Sequence, residues 1–348
     1  MIRDIIPYLY LNARIMAKEA RVLGPDKLEE LVSATSIMDV VSALEETDYG
    51  EYLSDISTDK TLTIEQALLK QNADFSQEIL NIIPKKVSNK FQFLKKKWDV
   101  YNLKAIIRGI HSGLAGENIL KKLVQAGEFS ENALNDLAAC RSIEDLMAQL
   151  EDTPYRELIN QLPVYEKSKN LFSVEAKLDK LFFDELWRKI TSGKRKNVFL
   201  LVEYFTLVIN CLNLKILFRA KRDGLNLKEV EDFLITGGDI LLKAKEGFES
   251  SDINDFITFL EDTVYFQILT EALPQYEKDG SFLSLELALD RFVTKKGREI
   301  SQKQPWGLGP LLGFLVVREE EAKNIRIITK SKEIGLGAEE TRNLLAEV

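Results

Sequence analysis

The chain has 348 residues, 45% of them hydrophobic and 29% charged, with 55 acidic side chains against 47 basic ones and a net charge of −8. That length suits two or three domains of about 100–200 residues, and the acid surplus argues against a general nucleic-acid binder. With 18 Gly, 8 Pro, two distant cysteines (Cys140 and Cys211) and a single histidine, the composition favours long helices and a reducing compartment, with neither a disulfide framework nor a His-based metal site.

The first segment, Met1-Ile-Arg-Asp4, meets an acid before any apolar run and is not expected to be a signal peptide. Asn12-Ala-Arg-Ile-Met-Ala-Lys18 opens a helix whose pattern returns later. The next helix is predicted from Ser36 as N-cap, Asp39 three residues on, and Val40, Val41 and Leu44 at helical spacing. It leaves through Leu44-Glu-Glu-Thr-Asp-Tyr49, and Thr63-Ile-Glu65 with Leu68 follows. A basic stretch (Lys85, Lys86, Lys90, Lys95–Lys97) then precedes Asn102-Leu-Lys-Ala-Ile-Ile-Arg108. That helix sets Lys104 and Arg108 on one face and Leu103 and Ile107 beside it. Gly113-Leu114 is placed to end it on a left-handed glycine.

The same order of signals then repeats. Ser142 and Asp145 cap a helix carrying Leu146, Met147 and Leu150, which exits through Leu150-Glu-Asp-Thr-Pro-Tyr155. Ser173-Val-Glu175 with Leu178, the cluster Lys194, Arg195 and Lys196, Asn213-Leu-Lys-Ile-Leu-Phe-Arg219 and Gly224-Leu225 complete the second copy. The third runs through Asp252, Asp255, Phe256, Ile257 and Leu260-Glu-Asp-Thr-Val-Tyr265. It continues with Ser284-Leu-Glu286 and Leu289, then Lys295, Lys296 and Arg298, and ends on Asn324-Ile-Arg-Ile-Ile-Thr-Lys330 and Gly335-Leu336. The three Asn-led helices stand two equal steps of 111 residues apart. A period near 110 exceeds common solenoid units and is domain-sized. The expectation is an all-α fold of three similar helical domains, 1–118, 119–230 and 231–348, each bracketed by two Asn-led helices of which the second is shared with the next unit. Two apolar stretches, Val198–Leu214 and Trp306–Val317, are read as buried core helices, because the first carries Glu203, Asn210 and Asn213 and the second has only 12 residues.

Few residues suggest chemistry. No phosphate-binding Gly-x-x-x-x-Gly-Lys loop occurs, and Gly307-Leu-Gly309-Pro-Leu-Leu-Gly313 reads as a loop entering an apolar helix. No acidic or His-containing spacing suggests a metal cage, and His111 reads as a helix-end cap. Glu45, Glu151 and Glu261 recur on three separate units, which a single active site does not need; they are expected to pair with the Lys or Arg of the Asn-led helices. Tyr49, Tyr155 and Tyr265 read as packing anchors with a hydrogen-bonded hydroxyl. The basic clusters admit two readings, solvated helix ends or sites that meet acidic partner surfaces.

The sequence resembles the C-type subunit of the archaeal and bacterial A/V-type rotary ATPases, which is related to the d-type subunit of the eukaryotic V-ATPase. The match is carried by Tyr10-Leu-Asn-Ala-Arg14, Asp99-Val-Tyr-Asn-Leu-Lys104 with Arg108, and Asn213-Leu-Lys215 with Arg219. The long block Gly309-Pro-Leu-Leu-Gly-Phe-Leu-Val-Val-Arg-Glu-Glu-Glu-Ala-Lys-Asn-Ile-Arg-Ile-Ile328 adds to it, and the resemblance spans essentially the whole chain. It implies a pseudo-threefold helical funnel on the cytoplasmic face of the membrane, peripheral to it through the rotor ring. Its cavity would receive the foot of the central shaft (D- and F-type subunits), so that torque passes between shaft and ring during H⁺ or Na⁺ transport. It implies no enzyme activity of its own, no cofactor and no nucleic-acid partner. Lys104, Arg108, Lys215, Arg219, Arg326 and Lys330 are the candidate partner contacts, with pairing inside the chain as the other reading of the same residues. One departure is Thr329-Lys330-Ser331, where the other copies have Ile107-Arg108-Gly109 and Phe218-Arg219-Ala220. The alternative function is a free-standing helical-repeat scaffold for soluble partners, and an all-α lyase comes third for want of an acidic metal cluster.

Overall fold

A computed structural model describes residues 2–53, 60–193 and 198–345. The fold is all-α: the described residues form 19 α-helices and a few short 3-10 helices, with no strand among them. The chain opens with α1 (Ile2–Glu19), α2 (Pro25–Ser33), α3 (Ile37–Glu45), α4 (Lys60–Ile82), α5 (Lys85–Ser88) and α6 (Phe93–His111). It continues through α7 (Gly116–Leu120), α8 (Glu131–Ala138), α9 (Ile143–Gln149), α10 (Leu162–Ser168), α11 (Phe172–Thr191) and α12 (Phe199–Arg222). The remaining helices are α13 (Leu227–Val230), α14 (Leu241–Phe248), α15 (Ile253–Thr258), α16 (Val264–Asp279), α17 (Leu283–Ser301), α18 (Gly309–Ile334) and α19 (Ala338–Leu344).

The local signals of the three copies act alike. Ser36, Ser142 and Asp252 are the N-caps of α3, α9 and α15, each side chain accepting the backbone N–H three residues on. Each cap satisfies one of the amide donors that a helix start leaves unpaired. At the other end, Thr47, Thr153 and Thr263 donate their hydroxyls to the carbonyls of Leu44, Leu150 and Leu260. The same hydroxyls accept from the N–H of Tyr49, Tyr155 and Tyr265, which closes the turn and presents the tyrosine inward. Gly113, Gly224 and Gly335 stand at φ 68, 70 and 76. Leu114, Leu225 and Leu336 then reach back to the carbonyls of Gly109, Ala220 and Ser331, the paired closure that a left-handed residue permits.

The chain divides into two compact units. One comprises Met1–Pro84, Lys196–Tyr204 and Gln267–Val348. Its axis is α18, against which α1, α2, α3, α4, α17 and α19 pack. Leu31, Val40, Leu44, Ile64 and Leu68 from the N-terminal segment share one core with Ala322, Ile325 and Ile328 of α18. Burial of each such aliphatic side chain stabilises the fold by about 1.5–3 kcal/mol. The second unit comprises Lys85–Arg195 and Phe205–Phe266. Here α6 takes the place of α18 and packs on α7, α8, α9 and α11. Leu103, Ile106 and Ile107 meet Leu146, Met147, Leu150, Val174 and Leu178 in its core. In both units an Asn-led helix is therefore covered by the short capped helices of another copy: α6 by those of the second and α18 by those of the first.

Among the described residues one helix, α12, is long and apolar enough to cross a membrane, with a mean hydropathy of 1.6 over its best window. Leu200, Leu201, Ile209, Leu214, Leu217 and Phe218 on it are nevertheless buried within the protein, which makes it a core helix. The Trp306–Val317 stretch likewise leads into α18, with Leu311, Leu312, Phe314 and Val316 buried.

Candidate functional site

Each Asn-led helix carries a short ladder of polar side chains on a buried face. The first rung is the asparagine itself. The Asn102 side chain donates to the Val124 carbonyl at 2.7 Å and accepts from the Val124 N–H at 2.9 Å. Asn213 holds Ile235 in the same way, at 3.0 and 2.8 Å. A carboxamide offers a donor and an acceptor side by side and so matches the N–H and C=O of a single residue; no other side chain of this length does. Both clamps are buried and fasten a segment 22 residues downstream that lacks regular structure. Asn324 is also buried, and residue 346, which stands in the corresponding position, lies outside the described residues.

One turn earlier the helices carry Asp99, Asn210 and Glu321, three different residues in one role. Asp99 accepts from the N–H groups of Glu128 (2.8 Å) and Phe129 (3.2 Å). Asn210 accepts from the Asp239 N–H at 3.2 Å and donates to the Asp239 carboxylate at 2.6 Å and to the Tyr265 hydroxyl at 3.0 Å. Glu321 accepts from the Leu23 N–H at 2.7 Å and from the Tyr49 hydroxyl at 2.9 Å. Arg318, bonded to Glu321 and to the Tyr49 hydroxyl, supplies the countercharge, without which a buried carboxylate would be costly. Tyr49 and Tyr265 are buried anchors with a hydrogen-bonded hydroxyl, as their recurrence predicts, and Tyr155 is buried with its ring against Phe129. Burial raises the hydroxyl pKa of Tyr49, Tyr155 and Tyr265 well above the ordinary value, and the neighbouring Glu321 and Asp99 charges add to this at Tyr49 and Tyr155. Asp99 lacks the arginine that Glu321 has. Its carboxyl is pushed up to about 6 by burial, against the pull of its two backbone donors.

The candidate contact residues lie on the adjoining face. Lys104 donates to Asp179 at 2.6 Å, and Arg108 grips both oxygens of Glu175 at 2.7 Å. Burial pushes the Asp179 carboxyl up, with the Lys104 ammonium working against it. Arg326 binds both oxygens of Glu65, at 3.0 and 2.9 Å. Lys330 pairs with Glu333 at 2.8 Å and keeps 66% of its side chain exposed. Lys215 and Arg219 are engaged within the chain as well. The carboxylates that meet Arg108 and Arg326 thus come from the Thr/Ser-x-Glu motifs. Glu45, Glu151 and Glu261, expected to be the partners, are exposed instead. Each follows a buried leucine by one residue: Glu45 is turned outward by about 100° of helical rotation, and Glu151 and Glu261 lie in the turns beyond α9 and α15.

The partial copy in α1 keeps half of this design. Arg14 and Lys18 converge on Glu78, at 3.1 Å from Arg14 Nε and 2.7 Å from Lys18. Asn12 is buried, yet its amide nitrogen and oxygen both lack a hydrogen-bond partner among the described residues. His111, in the last turn of α6, lies 3.0 Å from the Tyr165 hydroxyl rather than on a carbonyl. Among the basic clusters, Lys90 caps the end of α11 through the Ser192 carbonyl (2.6 Å) and hydroxyl (2.8 Å), and Arg298 pairs with the buried Glu320 at 2.8 Å. Lys194, Arg195 and Lys196 lie outside the described residues. Among the described residues no group of His, Cys, Asp and Glu could hold a metal ion. The arrangement fastens helices and loops to one another; it does not assemble an acid, a base or a nucleophile around a common point.

Comparison with known proteins agrees in kind. The family model described as "ATP synthase (C/AC39) subunit" matches residues 11–344. The C-type subunit of the A-type ATP synthase of Methanocaldococcus jannaschii is 34% identical over 99% of this chain and 88% of its own length. Its counterpart from Methanothermobacter thermautotrophicus is 33% identical over 95% of this chain and 85% of its length, and that from Pyrococcus abyssi 27% over 98% and 91%.

Proposed function

We infer the role of this chain from its family: it belongs to the ATP synthase (C/AC39) subunit family, and with it to the rotary A-type ATP synthases. It is a non-catalytic subunit of the central stalk that links the shaft to the membrane rotor ring. The observation that carries this is the match over residues 11–344 to a family whose C-type relatives align with nearly the whole chain. The structure supplies a physical basis. A part that passes torque must not yield at its joints, and here irregular segments are fixed to long helices by clamps such as Asn102–Val124 and Asn213–Ile235, not by apolar contact alone. The bidentate pair Arg108–Glu175, made through two guanidinium nitrogens, adds directional restraint that a point charge lacks. The free-standing scaffold and the lyase readings give way to the family.

The finer reading is a funnel of three similar domains, 1–118, 119–230 and 231–348, about a pseudo-threefold axis. The packing of α18 under α2, α3 and α4 supports it, because the third Asn-led helix uses the short helices of the first copy as α6 uses those of the second. The protein sits on the cytoplasmic face, peripheral to the membrane through the ring, and takes the D- and F-type shaft subunits in its cavity. Exposed members of the basic faces, Arg108 and Lys330 foremost, are the contacts we assign to partners. The experiment is size exclusion of the purified chain with detergent-solubilised ring and isolated shaft complex. A ternary peak that forms only when this chain is present is the expected result, and deletion of the protein should uncouple ATP hydrolysis from ion transport. Ring and shaft that associate equally well without it would overturn the assignment.

A further inference from the structure

Basic clusters recur ahead of the Asn-led helices, and the structure does not use them alike. In the third copy the cluster is spent inside the protein: Lys296 pairs with Glu299, Arg298 with Glu320, and the following Lys303 with Glu203. The first cluster is different. Between Glu78 and Asp99 the chain carries six lysines and no acid. Lys85, Lys86 and Lys95 have no ion pair among the described residues, and Lys85 and Lys86 are exposed. Lys90 gives its ammonium to neutral acceptors, the Ser192 carbonyl at 2.6 Å and hydroxyl at 2.8 Å. It thereby ties the cluster to the end of α11 without meeting a carboxylate. Arg188, one turn before that end, is exposed and likewise has no ion pair among the described residues. The acids beside it are already engaged: Glu185 by Lys96 and Lys189, and Asp184 by Lys180 at 3.2 Å, while Glu128 stands 4.0 Å from Lys96. A chain of net charge −8 thus carries one patch of bases that no carboxylate neutralises.

We propose that this patch, formed by Lys85, Lys86, Lys90, Lys95 and Arg188, is a contact for the headgroups of an anionic lipid bilayer. The proposal rests on the rotor-subunit reading above, which sets the chain against a membrane. Two observations favour lipid over an acidic protein surface. None of the exposed large hydrophobic side chains lies within 84–97 or 185–193, whereas a protein interface seats an apolar centre and is depleted in lysine. Four of the five bases are lysines, which act as hydrated point charges; a carboxylate partner is gripped by the fork of an arginine, as Glu175 is by Arg108. Attraction to a layer of headgroups also has no fixed register, which suits a part that turns above the surface. A basic patch without a second anchor binds reversibly, and the ring supplies that anchor.

The test sediments the purified full chain with vesicles of phosphatidylcholine alone and of phosphatidylcholine mixed with phosphatidylglycerol, with neither ring nor shaft present. The expected result is binding to the anionic vesicles about tenfold or more above the neutral ones, lost at high salt as screening shortens the reach of the charges. A triple variant, Lys85→Gln, Lys86→Gln and Arg188→Gln, should bind anionic vesicles about tenfold or more weakly than the parent, at about fivefold per base removed. Its melting temperature should be unchanged, because all three side chains are exposed. A matched variant, Lys122→Gln, Arg156→Gln and Lys167→Gln, removes the same charge from exposed bases outside the patch and should bind as the parent does. Anionic vesicles that hold the parent no better than neutral ones would overturn the proposal, as would an equal loss in both variants. So would a patch variant that binds vesicles normally but loses the detergent-solubilised ring, which marks an acidic protein surface as the occupant. Vesicle binding needs neither ring nor shaft, so its failure is told apart from a failure of the rotor-subunit reading, which shows in the ternary peak.

Discussion

Replacing Asp99 by asparagine puts the electrostatics of the buried ladder to a quantitative test. Asp99 is 1% exposed, and its carboxyl is pushed up to about 6 from the ordinary 3.8 because burial penalises the charge more than the Glu128 and Phe129 N–H groups repay it. A shift of about two units corresponds to about 3 kcal/mol by linkage at 1.36 kcal/mol per unit. Screening by solvent and by the nearby Lys96 ammonium brings the expected effect to about 1–2 kcal/mol. The sign follows from a folded-state pKa above the unfolded one. The neutral acid is favoured in the fold, its contribution is fully present below about pH 4, and it is lost as pH rises through about 6. Asparagine keeps the oxygen that accepts both N–H groups and carries no charge, the solution already present at Asn210. Asp99→Asn should therefore stabilise the protein by about 1–2 kcal/mol at pH 8, a rise of about 1–3 °C in melting temperature for a chain of this size. The gain should shrink toward zero near pH 4.5. Urea or thermal unfolding of both proteins across that range is the assay. A variant that is less stable at pH 8, or whose difference from the parent does not change with pH, would refute the argument.

The other ladder residues lead to sharper losses. Asn102→Ala removes two hydrogen bonds and leaves the Val124 N–H and carbonyl buried and unpaired, which should cost about 2–4 kcal/mol in denaturant unfolding. Gly224→Ala forces a side chain into φ 70, and about 1 kcal/mol of destabilisation is expected; the same change at Gly24, at an ordinary negative φ with open space around it, should cost only a few tenths. A double-mutant cycle on Glu65 and Arg326, both about one-third exposed, should return a coupling of about 0.5–1 kcal/mol that falls with added salt. Tyr49→Phe takes away the hydroxyl that joins Glu321 and Arg318, and should lower stability by about 1–2 kcal/mol.

What is legible in the sequence and what is not divide along a physical line. Ser36, Ser142 and Asp252 cap helices through bonds only three residues long, and Gly113, Gly224 and Gly335 close them within five, so residue type and spacing announce both. The 111-residue step exposes the Asn-led helices for the same reason: the repeating unit is visible in one dimension. The partners of those helices are not. Asn102 spends its amide on a residue 22 positions away, and Arg326 reaches Glu65 across 261. Asp99, Asn210 and Glu321 form no visible motif because the shared requirement is an acceptor for a buried N–H, which three different side chains meet. Glu45, Glu151 and Glu261 present the opposite case: their recurrence is conspicuous, but they are exposed, and Arg108 and Arg326 pair with Glu175 and Glu65.

The position of α18 beneath α2, α3 and α4 also bears on how the protein is made. Leu31, Val40 and Leu44 leave the ribosome nearly 300 residues before Ile325 and Ile328, which cover them. At about 5–20 residues per second that interval is roughly 15–60 s. For that time the first helices lack the surface that completes their core, and loop closure over such a span adds to the delay. A chain that stops before α18 keeps that apolar flank uncovered, so the last long helix decides whether the first segment has a complete core.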